Sequence, residues 1–101
     1  MAIDPILPDA RVAQMLAEGW WRDDTLLDCF DAALAARPDA IAVVDFRVET
    51  GTQNSISYRE LDQRVARIGL ALADLGVQKH DIVSFQLPNW WQFMALHLAC
   101  L

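Results

Sequence analysis

The segment from Ser57 to Val77 constrains the fold of this chain more than any other. Ser57 and Glu60 have the spacing of a capping box, in which each side chain bonds the other residue's backbone N–H at the start of a helix. Apolar residues then recur at alternating spacings of four and three: Leu61, Val65, Ile68, Leu72 and Leu75. This spacing predicts an amphipathic helix, and Gly76 follows as the left-handed residue that ends it. The apolar stripe needs a partner surface, so a layered core is expected.

Two short helices are predicted ahead of this segment. The first begins at Asp9 and ends at Gly19, after residues 1–8, which contain two prolines and are expected to be extended. The second begins at Thr25 with a capping-box spacing. It should stop before Pro38, because the residue that precedes proline is pushed out of helical geometry.

Three strands complete the prediction. Residues 40–47 are β-branched and apolar, a glycine-containing turn follows, and residues 55–58 read as a second strand, so a hairpin is expected. Ile82–Leu87 reads as a buried strand after the long helix. The predicted fold class is α/β: two helices, a β-hairpin, and then helix, strand and helix. Ile41 and Leu72 are expected in the core, where an aspartate at either position would unfold the chain.

Pro88 and Asn89 turn the chain into a last helix, Trp90–Leu101, which is apolar on every side. Asn89 is expected to cap it, and the alternative for a residue at the end of a strand is to border a binding crevice. A helix that is apolar all round belongs inside a larger core. It also lacks a C-cap glycine and a cationic last turn. We therefore expect the polypeptide to continue past Leu101 and a shorter chain to expose this helix.

The charge balance argues against nucleic acid as a partner, because 8 Lys and Arg face 14 Asp and Glu for a net charge of −6. The only local basic group is Arg59, Arg64 and Arg67. A composition that is 54% apolar excludes disorder, and neither a membrane-spanning stretch nor a signal peptide is expected. Cys29 and Cys100 lack metal-ligand spacing and are expected to be reduced, buried thiols of a cytoplasmic protein.

No complete catalytic constellation is present. The serines lack a G-x-S-x-G context, and no glycine-rich phosphate loop of known form occurs. Paired aspartates near the second helix are explained by the electrostatics of a helix start. His80 and His97 have no second metal ligand at a suitable spacing. The pairs Trp20-Trp21 and Trp90-Trp91 are expected to pack in a core or interface, with the lining of a ligand site as the alternative.

Five segments carry recognisable patterns in a fixed order: residues 21–28, 37–45, 56–61, 75–83 and 86–101. The fourth reads LGVQKHDIV and the fifth begins QLPNWWQF. Together they resemble the start of the AMP-forming acyl-CoA synthetases, a family that includes aryl-acid and peptide-synthetase adenylation domains. The last segment is most similar to short- and medium-chain acyl-CoA synthetases and cyclohexanecarboxylate–CoA ligases. Two positions depart from the family pattern: His80 replaces a usual glycine, and Gln92 a usual glutamate.

The resemblance implies a two-step reaction for the parent enzyme. A carboxylate attacks the α-phosphate of ATP to give an acyl-adenylate and pyrophosphate, and the thiol of coenzyme A then displaces AMP. Mg²⁺ and cationic or backbone donors stabilise the developing charge. In the family these groups lie downstream of the matching segments. No catalytic, cofactor-binding or metal-binding residue is therefore assigned, and this chain alone is expected to be inactive and to bind no ATP, Mg²⁺ or coenzyme A.

The resemblance also divides the chain. Residues 1–24 are expected to be an N-terminal extension with a helix, and residues 25–101 to begin an AMP-binding domain that is incomplete at its C-terminus. The favoured interpretation is the N-terminal piece of a carboxylic acid–CoA ligase that acts on a carboxylic acid substrate. An autonomous interaction module derived from this fold, and the start of an aryl-acid or amino-acid adenylation domain, stay open as alternatives. Exposed apolar surface would also favour dimerisation.

Overall fold

The computed structural model describes residues 7–101, which form four helices and a two-stranded sheet. The elements in chain order are α1 (Asp9–Ala17), α2 (Leu26–Ala36), β1 (Ile41–Arg47), β2 (Thr52–Ser57), α3 (Tyr58–Asp74) and α4 (Trp91–Ala99). The predicted α/β arrangement is confirmed except for one strand. Most of the predicted extended lead-in, residues 1–6, lies outside the described residues. None of the four helices is long and apolar enough to cross a membrane.

β1 and β2 form the predicted antiparallel hairpin. Gly51 lies in its turn at a φ of 65°, a left-handed conformation that glycine adopts without steric cost. The register shifts between Ile41 and Val43, which breaks the alternation of faces along β1. Val43 packs against the core, whereas Ile41 is 62% exposed. The predicted core position of Ile41 is therefore wrong.

Both predicted ends of α3 are confirmed. The Ser57 hydroxyl accepts from the Glu60 backbone N–H at 3.2 Å, and the Glu60 carboxylate accepts from the Ser57 N–H at 2.8 Å. At the other end, Gly76 has a φ of 90°. The Val77 N–H donates to the Leu72 carbonyl at 3.0 Å, which closes a Schellman motif. Residues adjacent in sequence thus determine where this helix begins and ends.

The two N-terminal helices also follow the prediction. The Thr25 hydroxyl accepts from the Asp28 N–H at 3.2 Å, and the Asp28 carboxylate accepts from the Thr25 N–H at 2.6 Å, so α2 begins with a capping box. It ends before Pro38. α1 begins at Asp9 and ends just ahead of Gly19, but it contributes no buried residue.

Four apolar residues form the buried core: Ile56, Leu61, Ala95 and Leu98. They come from β2, α3 and α4, so the hairpin and the two later helices meet at one place. The predicted apolar stripe of α3 is only partly used. Leu61 at its start is 2% exposed, whereas Leu75 at its end is 81% exposed.

The predicted strand Ile82–Leu87 is absent, because this segment has no regular secondary structure. Its residues favour an extended backbone, but a strand exists only where its N–H and C=O groups pair with a neighbour. Among residues 7–101, β1 and β2 pair only with each other. The segment instead contacts α4 through Phe85, whose ring packs edge-to-face against the ring of Phe93, with 5.4 Å between the ring centroids.

α4 differs from the prediction at its start and in its burial. Trp90, and not Asn89, is its N-cap residue, so the predicted capping role of Asn89 is wrong. Ala95 and Leu98 are buried in the core. The expectation that the whole helix would be exposed is therefore wrong, although Met94 on another side of the helix is 41% exposed.

Candidate functional site at the joint between the hairpin and the last helix

A buried carboxylate joins the hairpin to α4. Asp45, on β1, is 4% exposed and is the only buried polar or charged residue among residues 7–101. Asn54 lies opposite it on β2 and donates an amide N–H to Asp45 Oδ1 at 2.6 Å. The backbone N–H of Trp91 donates to Asp45 Oδ2 at 2.8 Å. Asp45 Oδ1 thus bonds within the sheet, and Oδ2 bonds the first residue of α4. We call the contact of the hairpin with the start of α4, built around Asp45, Asn54 and Trp91, the joint.

The bond from Trp91 supplies α4 with the cap that its own flanking sequence does not provide. The first N–H groups of a helix have no partner within the helix, and Trp90 offers no side-chain acceptor. Asp45 provides that acceptor from 46 positions earlier in the chain. Its negative charge also faces the positive end of the helix dipole. A residue distant in sequence therefore takes the role that was predicted for Asn89.

Hydrogen bonding holds the pKa of Asp45 below its ordinary value of 3.8. The largest cause is the backbone N–H of Trp91, and the amide of Asn54 is the next. Burial acts in the opposite direction, and the guanidinium of Arg47 adds a smaller lowering of the pKa. Asp45 is therefore ionised throughout the neutral range. Such a group is suited to holding two elements together and not to accepting a proton near pH 7.

Two arginines stack on the tryptophans that open α4. The guanidinium of Arg47 lies 4.1 Å from the centre of the Trp90 ring, and that of Arg64 on α3 lies 4.1 Å from the centre of the Trp91 ring. Both tryptophans are half-buried, which confirms the predicted packing for this pair. These cation–π contacts link the start of α4 to β1 and to α3.

The joint also contains two buried polar atoms without a hydrogen-bond partner in the described part of the chain, Arg47 Nε and Gln92 Oε1. Buried polar atoms are normally paired, so these two mark unused bonding capacity. Gln92 stands at a position where the family pattern has glutamate. These contacts position the hairpin and α4 relative to each other, and they have a structural role and not a catalytic one.

Four residues that were expected to be buried are exposed: Cys29, Cys100, Trp20 and Trp21. Trp20 is 75% exposed, so the first tryptophan pair does not pack in the core of residues 7–101, and its packing in an interface stays a prediction. None of the four belongs to the core or to the half-buried side chains packed against it.

The remaining candidate residues stay apart. Ser57 and Asp28 cap helices, and the two histidines are exposed. His80 is the only non-glycine residue in the described range with a positive φ, at 74°, so this turn keeps the backbone conformation for which the family's glycine is suited. Residues 7–101 contain no group of three or more His, Cys, Asp or Glu side chains that could hold a metal ion.

Sequence reasoning did not single out Asp45. The available signal was a single carboxylate in the otherwise apolar strand sequence AIAVV-Asp45-F. A charge on a strand that also packs in a core needs a specific partner, since an unpaired buried charge is costly. The partners, Asn54 and Trp91, are 9 and 46 positions away and follow no local pattern.

Residues 30–101 match the profile of a protein family described as AMP-binding enzyme. The chain belongs to this family. It is 33% identical over 92% of its length to a medium-chain fatty-acid–CoA ligase of Escherichia coli (strain K12). It is 39% identical over 93% of its length to a salicyl-AMP ligase / salicyl-S-ArCP synthetase of Mycobacterium tuberculosis, and 34% identical over 80% to an acetyl-coenzyme A synthetase of Salmonella typhimurium.

Family membership confirms the resemblance predicted from the five segments. The chain spans only 16%, 16% and 13% of the length of these three relatives, or about one-sixth or less. No solved structure is significantly similar to it. The chain is therefore a member of the AMP-binding family, and we treat the reaction of the whole protein as a proposal.

Proposed function

We propose that this chain is the N-terminal segment of an ATP-dependent carboxylic acid–CoA ligase that uses an acyl-adenylate intermediate. The observation that carries the proposal is the 33% identity, over 92% of the chain, to a protein named as a medium-chain fatty-acid–CoA ligase. In the proposed reaction, a carboxylate attacks the α-phosphate of ATP and releases pyrophosphate. The thiol of coenzyme A then attacks the acyl carbon and releases AMP.

The role proposed for the chain in this reaction is structural. Residues 7–101 contain no group of three or more His, Cys, Asp or Glu side chains that could hold a metal ion, and no step of the reaction is derived through them. What they build is a joint, in which Asp45 holds the hairpin and the start of α4 in one arrangement. We place the contacts to ATP, Mg²⁺ and coenzyme A in the rest of the protein. Residues 1–24 form an N-terminal extension, and residues 25–101 begin the AMP-binding domain.

The proposal that the isolated chain binds no ATP is tested by titration calorimetry with Mg²⁺ and ATP. We expect heats of dilution only, because the sequence contains no glycine-rich phosphate loop of known form. Saturable binding in the micromolar range would contradict the claim that the nucleotide contacts lie elsewhere.

The second candidate is an adenylation enzyme that transfers its acyl group to the thiol of a carrier protein. It is favoured by the 39% identity, over 93% of the chain, to a protein named as a salicyl-AMP ligase / salicyl-S-ArCP synthetase. The two candidates differ in the thiol that accepts the acyl group. The complete gene product is incubated with ATP and a carboxylic acid, with either coenzyme A or a phosphopantetheinylated carrier protein added. A thioester with coenzyme A supports the first proposal, and a thioester formed only on the carrier protein supports the second.

Two further features complete the proposal: the enzyme acts in the cytoplasm, and the isolated chain dimerises through exposed apolar surface. The outward side chains of β1 supply such a surface, because Val44 and Phe46 are 57% and 56% exposed. Light scattering after size-exclusion chromatography tests the second point. The mass of a dimer is expected, and a monomer at all concentrations would contradict it.

A further inference from the structure

Two arginines on α3 line a small depression beside the hairpin–α4 joint, with which it shares Arg64 and Trp91. Arg64 and Arg67, which are three positions apart, surround a volume of about 300 Å³ together with Ile68 and Trp91. We call these four residues the arginine patch. Two of its members carry positive charge and the other two present apolar surface, so the patch combines the two kinds of contact that a binding surface needs.

Neither Arg64 nor Arg67 forms an ion pair with a carboxylate among residues 7–101, although the chain is rich in carboxylates. The ion pairs within residues 7–101 are Arg22–Asp24 and Arg59–Asp39. Glu60 lies one turn before Arg64 on the same helix, and its carboxylate bonds the backbone and hydroxyl of Ser57 in the capping box. The charge of Arg64 contributes to the lowered pKa of Glu60, less than these bonds do, without forming an ion pair with it. In a protein with a net charge of −6, the patch is therefore a local positive surface with no ion pair in the described residues.

The geometry also holds one of the two charges in position. The Arg64 guanidinium is stacked 4.1 Å from the centre of the Trp91 ring. Such stacking engages the face of the planar group and leaves its N–H edge available for a carboxylate. A guanidinium that is already held in this way loses less conformational freedom when an anion binds.

We propose that the arginine patch docks an acidic segment of a partner protein, whose carboxylates meet Arg64 and Arg67 while an apolar side chain contacts Ile68 and Trp91. The charge complementarity is local, because the net charge of −6 repels an acidic segment from the rest of the chain. The same repulsion disfavours a nucleic acid, which needs many more cationic contacts along its backbone. This docking role goes beyond the ligase reaction and does not depend on it.

The test measures the fluorescence anisotropy of a labelled peptide in which glutamates alternate with leucines, titrated with the 101-residue chain at low salt. A matched peptide with glutamine in place of glutamate is the first control. We expect saturable binding of the acidic peptide only. Arg67→Gln should weaken it about fivefold or more, as truncated arginines at interfaces commonly do. Arg64→Lys should also weaken it, because lysine keeps the charge but loses the stacked planar group.

The matched control variant is Arg11→Gln/Arg37→Gln, which changes the net charge by two units at exposed arginines outside the patch. It should bind the acidic peptide as the unmodified chain does. The proposal is overturned if the unmodified chain does not bind the peptide saturably, or if the control variant loses as much affinity as Arg64→Gln/Arg67→Gln. Binding of single-stranded DNA in place of the peptide would also contradict it. Arg67 is exposed, so its single variant carries the test even if changes at Arg64 disturb folding.

Discussion

A carboxylate that accepts hydrogen bonds on both oxygens resists protonation, because each bond is stronger to the charged form. Asp45 receives these bonds from Asn54 and from the backbone of Trp91. Its pKa in the folded chain is therefore lower than the ordinary value of 3.8 that applies in the unfolded chain. The stability that Asp45 contributes is fully present above that ordinary value. It is lost as the pH falls through the lower pKa of the folded state.

Asp45→Asn should lower the melting temperature at neutral pH and make the loss of stability in acid shallower. The asparagine keeps an acceptor for the Trp91 N–H but loses the charge, and with it the linkage between protonation and unfolding. Thermal unfolding followed by circular dichroism across the acid range measures both effects. Some acid dependence should persist, because the pKa values of Asp28 and Glu60 are also lowered by hydrogen bonds from Thr25 and Ser57.

Asp23→Asn is the matched control for the Asp45 variant. Asp23 is exposed and makes no side-chain hydrogen bond within residues 7–101. We expect the control to leave the melting temperature and its acid dependence unchanged. An Asp45 variant with the same acid profile as the unmodified chain would show that the carboxylate does not hold the joint as described.

His80→Gly should stabilise the chain by about 0.5–1 kcal/mol. The φ of 74° at His80 is unfavourable for a residue with a Cβ atom, and glycine adopts it freely, with part of the gain offset by the greater freedom of glycine in the unfolded chain. Urea denaturation measures the difference. His80→Ala, which keeps the Cβ atom, should bring no such gain, and an equal gain from both variants would contradict the backbone explanation.

At the scale of whole elements, α3 offers a direct comparison between a buried and an exposed leucine. Leu61 is 2% exposed and Leu70 is 69% exposed on the same helix. Leu61→Ala should lower the free energy of unfolding by about 2–4 kcal/mol, because it leaves a cavity between the hairpin and α4. Leu70→Ala should stay within about 0.5 kcal/mol of the unmodified chain. Equal losses in urea denaturation would mean that the core face of α3 is misplaced.

The elements that the sequence predicted well are those whose ends depend on neighbours in the chain. The capping boxes at Thr25 and Ser57 and the C-terminal Gly76 are all local, and the helices begin and end beside them. The elements that it predicted poorly depend on distant partners. Ile82–Leu87 lacks a strand to pair with, and α4 begins where it does because Asp45 reaches its first N–H. Local propensity contains no information about either partner.

The joint illustrates the same limit at the candidate site. The strand that contains Asp45, the helix that contains Arg64 and the tryptophans that open α4 were each recognisable in the sequence. Their meeting point was not, because all three contacts at Trp90 and Trp91 join residues more than 25 positions apart. The tryptophan pair at positions 20–21 has the same composition and stays exposed. Composition alone therefore does not decide which pair becomes part of a joint.

At the scale of the whole molecule, the described residues form a small core with much apolar surface around it. Trp20, Val48 and Leu75 are each at least 75% exposed, and none of the four core residues comes from α1 or α2. Extended apolar patches on soluble proteins mark contact surfaces. The chain spans about one-sixth of the length of the relatives it matches, and we propose that such apolar surface contacts the rest of a larger enzyme.

The family assignment was predictable because it depends on ordered local segments, which a single sequence contains. The proposed reaction rests on that resemblance, and residues 7–101 contain no group of three or more His, Cys, Asp or Glu side chains that could hold a metal ion. The two functions proposed for the whole protein, a carboxylic acid–CoA ligase and an adenylation enzyme that acts on a carrier protein, share one step, the formation of an acyl-adenylate.

The most direct test of that shared step is ATP–pyrophosphate exchange by the complete gene product, supplied in turn with a short-chain, a medium-chain and an aromatic carboxylic acid. Labelled pyrophosphate should enter ATP only when an accepted acid is present and without coenzyme A, because the adenylate forms before the thiol reacts. The 101-residue chain should give no exchange with any of the three acids. Exchange that does not depend on an acid, or the absence of exchange with all of them, would contradict the proposed adenylate-forming reaction.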